Sequence, residues 1–374
     1  MLFVGFDPTR ISKSIIGNGR RKAAVKCSLF TEIQCPQGSS PADRLGEFLE
    51  QAELADRLGF DTYWIAEIHC QPKFSLLSAP YVVLGVVAQR TKRLRLGVAV
   101  NTLPVHHPVS LAEHAAMLDL VSNGRMEFAA GGGHPHSRAY ECFGADHKST
   151  HAIMAEGLDV IRKAWSEDTL TFKGKFFDIP EVIINPKPVQ RPLPPFWMAT
   201  SSLDGVELGA RLGVNLFLPI HTRTPEQVVG YAGAYWDGLK KHGHDTKTRE
   251  IGLLIPVHLA ATTAEAQARC EAGIMSYFKT IADMRSDYTE WLTRRGAELP
   301  ARLKTAAGAQ VSFETVCTQH AVIGDSRVAV ESIRELARKT GATNLLTWFN
   351  IGTVPHALVK ESMERFAAEV MPNL

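Results

Sequence analysis

The sequence predicts an α/β protein of the (β/α)8 TIM-barrel class with insertions. Three observations carry that expectation: eight short apolar runs, amphipathic segments between most of them, and a Gly-Gly-Gly loop after the fourth run. The runs are Val25–Phe30, Thr62–Ala66, Leu94–Val100, Met126–Ala130, Pro195–Thr200, Val214–Pro219, Ile251–Ala260 and Asn344–Phe349. They are continuously apolar rather than alternating, as strands covered on both faces should be. An open doubly wound sheet is the alternative, since one or two strands more or fewer would turn one architecture into the other.

In chain order, residues 1–24 fit no βα unit and read as an N-terminal extension. Asn18-Gly19 marks a tight turn there, in either a small hairpin or a loose arm. From residue 25 to 374 the chain reads as one barrel. Pro41-Ala42-Asp43 opens a helix that closes at Leu58-Gly59, just before the second strand, and Gly341 closes another just before the last. His106-His107-Pro108 reads as a loop that stops where a helix starts. Two stretches break the rhythm. Residues 170–195 are rich in Pro, Lys and Phe and read as a strand-poor insertion. Residues 276–319 are helical and polar, a second insertion of the kind that forms lids or interfaces.

Composition narrows the function classes. A 45% hydrophobic and 21% charged chain is of the soluble globular type. A formal charge of +2 leaves no electrostatic footprint for nucleic acid. No apolar run is long enough to span a bilayer, so no membrane partner is expected. The start Met1-Leu2-Phe3-Val4-Gly5-Phe6-Asp7 lacks the basic-then-apolar order of a secretory signal, so the expected compartment is cytoplasmic. Six scattered cysteines without a Cys-x-x-Cys pair read as reduced thiols rather than a zinc site or staples.

A barrel places its chemistry on the loops after the strands. These loops carry Thr31 and Glu32; Glu67, His69 and Cys70; Asn101 and Thr102; Gly131–Gly133 with His134, His136 and Arg138; Thr200, Ser201 and Ser202; His221 and Arg223; and Asn350. Thr200-Ser201-Ser202 opens the helix Asp204–Leu212. Its hydroxyls and free N–H groups, beside the Gly132–Gly133 loop, suit a phosphate. The glycine loop lacks the spacing of a dinucleotide or triphosphate motif. No histidine pair has His-Glu-x-x-His spacing, so no catalytic metal is expected. His69, two residues from Glu67, is either a structural hydrogen-bonder or a proton-transfer group. No Gly-x-Ser-x-Gly elbow is present, so hydrolysis is not supported.

From about Val25 to the C-terminus the chain resembles the bacterial luciferase-like, flavin-dependent monooxygenase family. Ala66-Glu67-Ile68-His69-Cys70 resembles the family's Leu-Glu-His-His-Phe, and Leu118-Asp119-Leu120-Val121-Ser122-Asn123-Gly124-Arg125 its Leu-Asp-x-x-Ser-x-Gly-Arg. Thr91–Gly97, Leu103–Pro108, Ala139-Tyr140-Glu141-Cys142-Phe143-Gly144 and Ile323-Gly324-Asp325-Ser326 are similar to further family segments. The resemblance implies a (β/α)8 barrel that uses FMN, or in some branches F420. Carried over, it implies a phosphate between Gly132–His134 and Thr200–Ser201, Asn101 and Tyr140 along the flavin, and Glu67 and His69 facing its ring as catalytic groups.

Two positions depart from the family pattern. Gly132 stands where the family has the arginine of Gly-Arg-Gly, which removes a bidentate phosphate partner and leaves Arg138 or His134 to substitute. Ile68 stands where the family often has the first of two histidines. The resemblance implies a two-component monooxygenase. A flavin reductase supplies reduced FMN, O2 forms a C4a-hydroperoxyflavin, and a small organic substrate is oxygenated by a homo-oligomeric protein. The alternatives are an F420- or flavin-dependent hydride-transfer oxidoreductase and a non-catalytic flavin-binding accessory subunit.

Overall fold

A computed structural model describes residues 25–36, 38–134, 137–297, 299 and 311–374. The N-terminal extension 1–24, His136 and part of the second insertion lie outside the described residues. Eight parallel strands close on themselves. They are β1 (Lys26–Thr31), β2 (Thr62–Ile65), β3 (Arg95–Thr102) and β4 (Met126–Gly131), then β7 (Phe196–Ala199), β8 (Asn215–Pro219), β9 (Ile251–Leu259) and β11 (Asn344–Trp348). Each pairs with the next in that order, and β11 pairs back onto β1. The barrel is therefore closed, and the open-sheet alternative is excluded.

All eight expected strands are present, with ends displaced by a residue or two. The displacement matters at β3, which continues through Asn101 and Thr102 rather than ending at Val100. Asn101 lies opposite Ala130 and Thr102 opposite Gly131, beyond a register shift that follows Val98. The insertion expected to be strand-poor contains an antiparallel hairpin, β5 (Leu170–Lys173) with β6 (Asp178–Val182). A three-residue strand, β10 (Val322–Gly324), adds to the side of β9. The sequence reading contained neither, because both are short and the hairpin is largely polar.

The barrel interior is filled by aromatic rings. Trp197 stacks on Phe217 with centroids 4.3 Å apart, and Trp64 meets Phe217 edge-on at 4.9 Å. Gly97 makes room for this layer: a Cβ there would lie 2.3 Å from the Trp64 ring. The crossover helices are capped as the sequence indicated. α1 (Pro41–Leu58) starts at Ser40, whose side chain accepts from the Asp43 N–H, and ends at Gly59 in the left-handed region. Three further helices bear on the function: α2 (Pro80–Arg90), α3 (Pro108–Val121) and α4 (Ala139–Phe143). So do α5 (Thr150–Ser166), α6 (Leu203–Leu212), α7 (Pro225–Lys241) and α8 (Thr263–Arg294). At 32 residues, α8 begins well before the expected insertion and carries its described N-terminal part.

Candidate active site

Closure brings the eight C-terminal strand ends to one rim. Glu67, just beyond β2, is the electrostatic centre of the site. One of its oxygens contacts Nε2 of His69 at 2.5 Å and also Nε2 of His106, while the other accepts the Thr102 N–H at 3.0 Å. Burial would raise the Glu67 carboxyl. The hydrogen bonds of His106 and His69, the His106 charge and the Thr102 amide outweigh it and hold the group down at about 2. A carboxylate thus sits buried between two imidazoles, an arrangement able to hold or pass a proton. Ligand atoms of the three side chains all lie within 4.8 Å of one another, a spacing that also admits a divalent cation.

Glu67 and His69 line a small recess with Ile68, Thr102, Gly133, His134, Ser137, Ala139 and Tyr140. Ile68 contributes an apolar side chain to this wall. Gly133 has φ of +73°, and a Cβ there would meet Thr102 at 2.5 Å, so the third glycine is required by the protein's own packing. At Gly132 a Cβ would lie 3.0 Å from Thr150. Tyr140 donates from its hydroxyl to the Gly132 carbonyl at 2.8 Å and stacks on His147. The His134 ring lies 5.1 Å from that of Phe74.

β4 and β7 are neighbours, so the glycine loop and the Thr200–Ser202 segment leave the barrel side by side. Ser202 is the N-cap of α6, its hydroxyl accepting from the Gly205 N–H at 3.2 Å. The N–H groups of Leu203 and Asp204, in the first turn, have no intrahelical acceptor. Thr200 turns its hydroxyl back to accept the Ser202 N–H. Arg223, on the loop after β8, donates to the Ser201 carbonyl through Nε at 3.1 Å and Nη2 at 2.9 Å. This puts a guanidinium beside the α6 N-terminus. Arg138 lies elsewhere, 5.1 Å over the Trp291 ring of α8 and within electrostatic reach of Cys70.

Asn101 is fully buried at the end of β3. Its amide donates to the Ala129 carbonyl at 2.9 Å, and its Oδ1 has no hydrogen-bond partner. A buried acceptor without a donor costs stability unless a ligand completes it. The residues present therefore fit a flavin: an anion site at the α6 N-terminus, an orphaned acceptor at β3 and a carboxylate–imidazole cluster at β2.

Over the barrel axis Tyr277 of α8 packs against Trp348 (4.8 Å), Phe74 (5.7 Å) and His221 (6.1 Å). Burial, reinforced by the charges of His320 and Arg223, pushes His221 down to about 3 and keeps it neutral. Glu32, after β1, is buried, and burial raises its carboxyl well above the usual range. A carboxylic acid held neutral is a hydrogen-bond donor. Phe74, His221 and the start of the second insertion thus meet at this rim.

Sequence reasoning missed His106 as a site residue. It lies 39 positions from Glu67, and only the barrel closes that distance. Arg223 was assigned to the mouth but not to the anion site. The signal available was its position two residues after His221 on the strand next to Thr200–Ser202. Glu32 appeared only as a residue following β1.

The profile of the luciferase-like monooxygenase family matches residues 25–344. The oxygenase component of flavin-dependent trigonelline monooxygenase from Acinetobacter baylyi is 26% identical over 93% of this chain and 95% of its own. Uncharacterized protein y4vJ of Sinorhizobium fredii is 34% identical over 48% of this chain, and the match spans half of that protein. Among solved structures, monooxygenase RslO1 from Streptomyces bottropensis superposes with a TM-score of 0.77 at 24% identity, over 93% of this chain and 99% of its own. The oxygenating constituent of 3,6-diketocamphane monooxygenase from Pseudomonas putida, solved with FMN, gives 0.74 at 19% identity, over 94% and 99%. An F420-dependent secondary alcohol dehydrogenase gives 0.71 at 18% identity, over 94% and 99%. At these identities the structures establish the fold alone. No helix among the described residues is long and apolar enough to cross a membrane. With the family profile covering most of the chain and the barrel closed, the protein belongs to the luciferase-like monooxygenase family.

Proposed function

We propose that this chain is the oxygenase of a two-component system: it takes reduced FMN from a separate reductase and transfers one atom of O2 to a small organic substrate. The observation that carries this reading is the anion site formed by Thr200, Ser201 and Arg223 beside the Gly132–His134 loop, with the orphaned Asn101 acceptor on the same rim. The bound flavin supplies the oxygen activation. The chain's own residues do the rest. The α6 N-terminus and a guanidinium hold the phosphate, Asn101 takes a donor of the ring or its polar tail, and Tyr140 braces the glycine loop. The Glu67–His69–His106 cluster holds a proton beside the ring. The aromatic cap of Phe74, Tyr277 and Trp348 excludes water.

Two guanidiniums compete for the phosphate. Arg138 is the nearer in sequence to the missing family arginine, and Arg223 is the one already bonded to Ser201, so Arg223 is assigned the larger share. With no arginine in the glycine loop, the cofactor is held loosely enough to be exchanged with a reductase. The cluster at Glu67 is read as metal-free, so prolonged dialysis against EDTA should leave turnover unchanged.

Stopped-flow mixing of the protein and reduced FMN with O2 tests the proposal. A slowly decaying absorbance of a C4a-hydroperoxyflavin, quenched faster by substrate, supports it. Oxidation at the rate of free reduced FMN defeats it. The F420- or flavin-dependent hydride-transfer reading rests on the same barrel in the F420-dependent dehydrogenase. It predicts no oxygen adduct but reduction of a carbonyl or oxidation of an alcohol. An accessory subunit, motivated by Gly132 and Ile68, predicts flavin binding with no turnover under any reductase.

A further inference from the structure

Among the described residues four acidic side chains are buried: Glu32, Glu67, Asp119 and Glu127. Three of them are compensated. Glu67 has two imidazoles and an amide, Asp119 has four donors, and Glu127 has the Arg95 guanidinium and the Trp197 indole. Glu32 has no ion pair among the described residues. It is 8% exposed and receives a long hydrogen bond from Gln34 Nε2, at 3.5 Å. Gln34 is itself buried, and its Oε1 has no partner. Two uncompensated polar side chains thus stand together at the end of β1.

Aromatic rings surround that end. Strand alternation, continued one residue past Thr31, puts Glu32 on the same face as Phe30, whose ring meets Trp348 edge-on at 5.2 Å. The Ile33 carbonyl accepts the Leu76 N–H at 2.9 Å, which draws the Phe74 loop alongside. Tyr277 then meets Trp348 at 83° and His221 meets Trp348 at 86°, so the rings stand as walls and not as a stack. Arg223, on the same loop as His221, is tied to the Ser201 carbonyl.

We infer that Glu32 and the rings of Tyr277, Trp348 and Phe74 form a substrate subsite for a small organic cation, an ammonium or quaternary ammonium group, which supplies the positive charge that the fold leaves out. The inference rests on the reading of this rim as the mouth of an oxygenase. A buried carboxyl is costly to ionise unless a cation pairs with it, and burial alone raises this one. Steeply inclined aromatic faces attract the same kind of ligand, most strongly where water is excluded. The free Gln34 Oε1 accepts an N–H where the ammonium carries one. An anionic substrate meets only repulsion from Glu32, and a neutral one gains only apolar contact.

Calorimetric titration with choline and with its uncharged isostere, 3,3-dimethylbutan-1-ol, tests this, with and without saturating FMN. Choline should bind wild type at least about tenfold more tightly than the isostere. E32Q should bring the two probes within about twofold of each other, and Y277L should weaken choline about fivefold. E32Q should keep the wild-type melting temperature and FMN affinity, since it removes an uncompensated group. A merely structural Glu32 would give the reverse: a lower melting temperature and an unchanged preference for choline. Equal binding of the two probes by wild type, a preference that survives E32Q, or no choline binding by protein that binds FMN would each overturn the inference. Failure of wild type to bind FMN would strike the oxygenase reading instead, and the titrations without FMN would still decide the cation site.

Discussion

The two ends of the barrel use their polar groups differently, although Arg249 Nε, just before β9, is also without a partner at the N-terminal end. At the N-terminal end, Asp119 accepts from the backbone N–H groups of Met126, Val189 and Gln190 and from the Gln190 amide at 2.7 Å. Arg125 donates to the carbonyls of Ala88, Leu94 and Ser122 and to the Thr91 hydroxyl. Glu127 takes Arg95 and the Trp197 indole, each at 2.6 Å. At the C-terminal rim, Asn101, Asn350 and Gln34 each keep an acceptor oxygen without a partner, as His221 does its Nδ1. Saturated polar groups hold structure in place. Unsatisfied ones wait for something that is not protein. Substitutions at the two ends should therefore separate stability from binding.

The largest effect is expected at the N-terminal end. Asp119→Ala takes away the acceptor of four donors, of which the Met126 N–H is buried and the others part-buried, at a cost of about 2–3 kcal/mol. Urea unfolding should show the loss, while FMN affinity of the folded fraction stays within about twofold of wild type. A change in affinity as large as the change in stability would erase the distinction between the ends.

Glu67→Gln tests the rim next. Losing the carboxylate that both imidazoles contact should lower turnover on the order of 100-fold at pH 7. It should also reshape acid stability. The Glu67 carboxyl is held below its ordinary 4.5, at about 2, so its contribution is complete above pH 4.5 and is lost as pH falls toward 2. Linkage puts that contribution at roughly 3 kcal/mol at neutral pH. Wild type and E67Q should therefore converge in stability at the acid end of a pH-dependent unfolding series. Parallel curves would show that the carboxylate is not what the imidazoles stabilise.

How much of this was legible in the sequence follows from where each interaction runs. Strands covered on both faces are apolar throughout, so all eight barrel strands could be read as runs. Asn101 and Thr102 could not, because polar residues mark a strand end in sequence, yet here β3 pairs on through them. The family signature ending in Gly124-Arg125 identified the family through residues that brace the N-terminal end, not the site. Glu67 and His69 were legible because they follow a strand. His106 was not, since nothing local links it to Glu67. Arg138 was chosen for proximity along the chain to the missing arginine, whereas Arg223 reaches the α6 N-terminus through barrel closure.

That last contrast sharpens into a measurement. S201A with R223M should weaken FMN binding by about 1–3 kcal/mol, a loss of roughly 5- to 150-fold. S201A with R138M should cost less, because the Arg138 guanidinium lies over Trp291. Fluorescence titration of FMN decides the ranking, and the reverse order would return the phosphate to Arg138.

The smallest effect per chain is expected away from both ends, on the outer face of α2 and α3. Val82 and Val86 on α2 and Met117, Leu120 and Val121 on α3 are apolar and 40–71% exposed. The two helices pack on each other, so these side chains share one flank of the barrel. This flank buries its apolar surface only if something covers it. A second copy of the chain is the proposed cover, giving the homo-oligomer expected from the resemblance. Met117→Asp puts a charge into that contact. The expected outcome is a halved mass or less by light scattering, with FMN affinity within about twofold of wild type, since α2 and α3 brace the barrel from outside and supply nothing described at the recess. An unchanged mass would leave the flank solvent-facing. A lower mass accompanied by lost FMN binding would mean that the rim, and not only the flank, depends on the second copy.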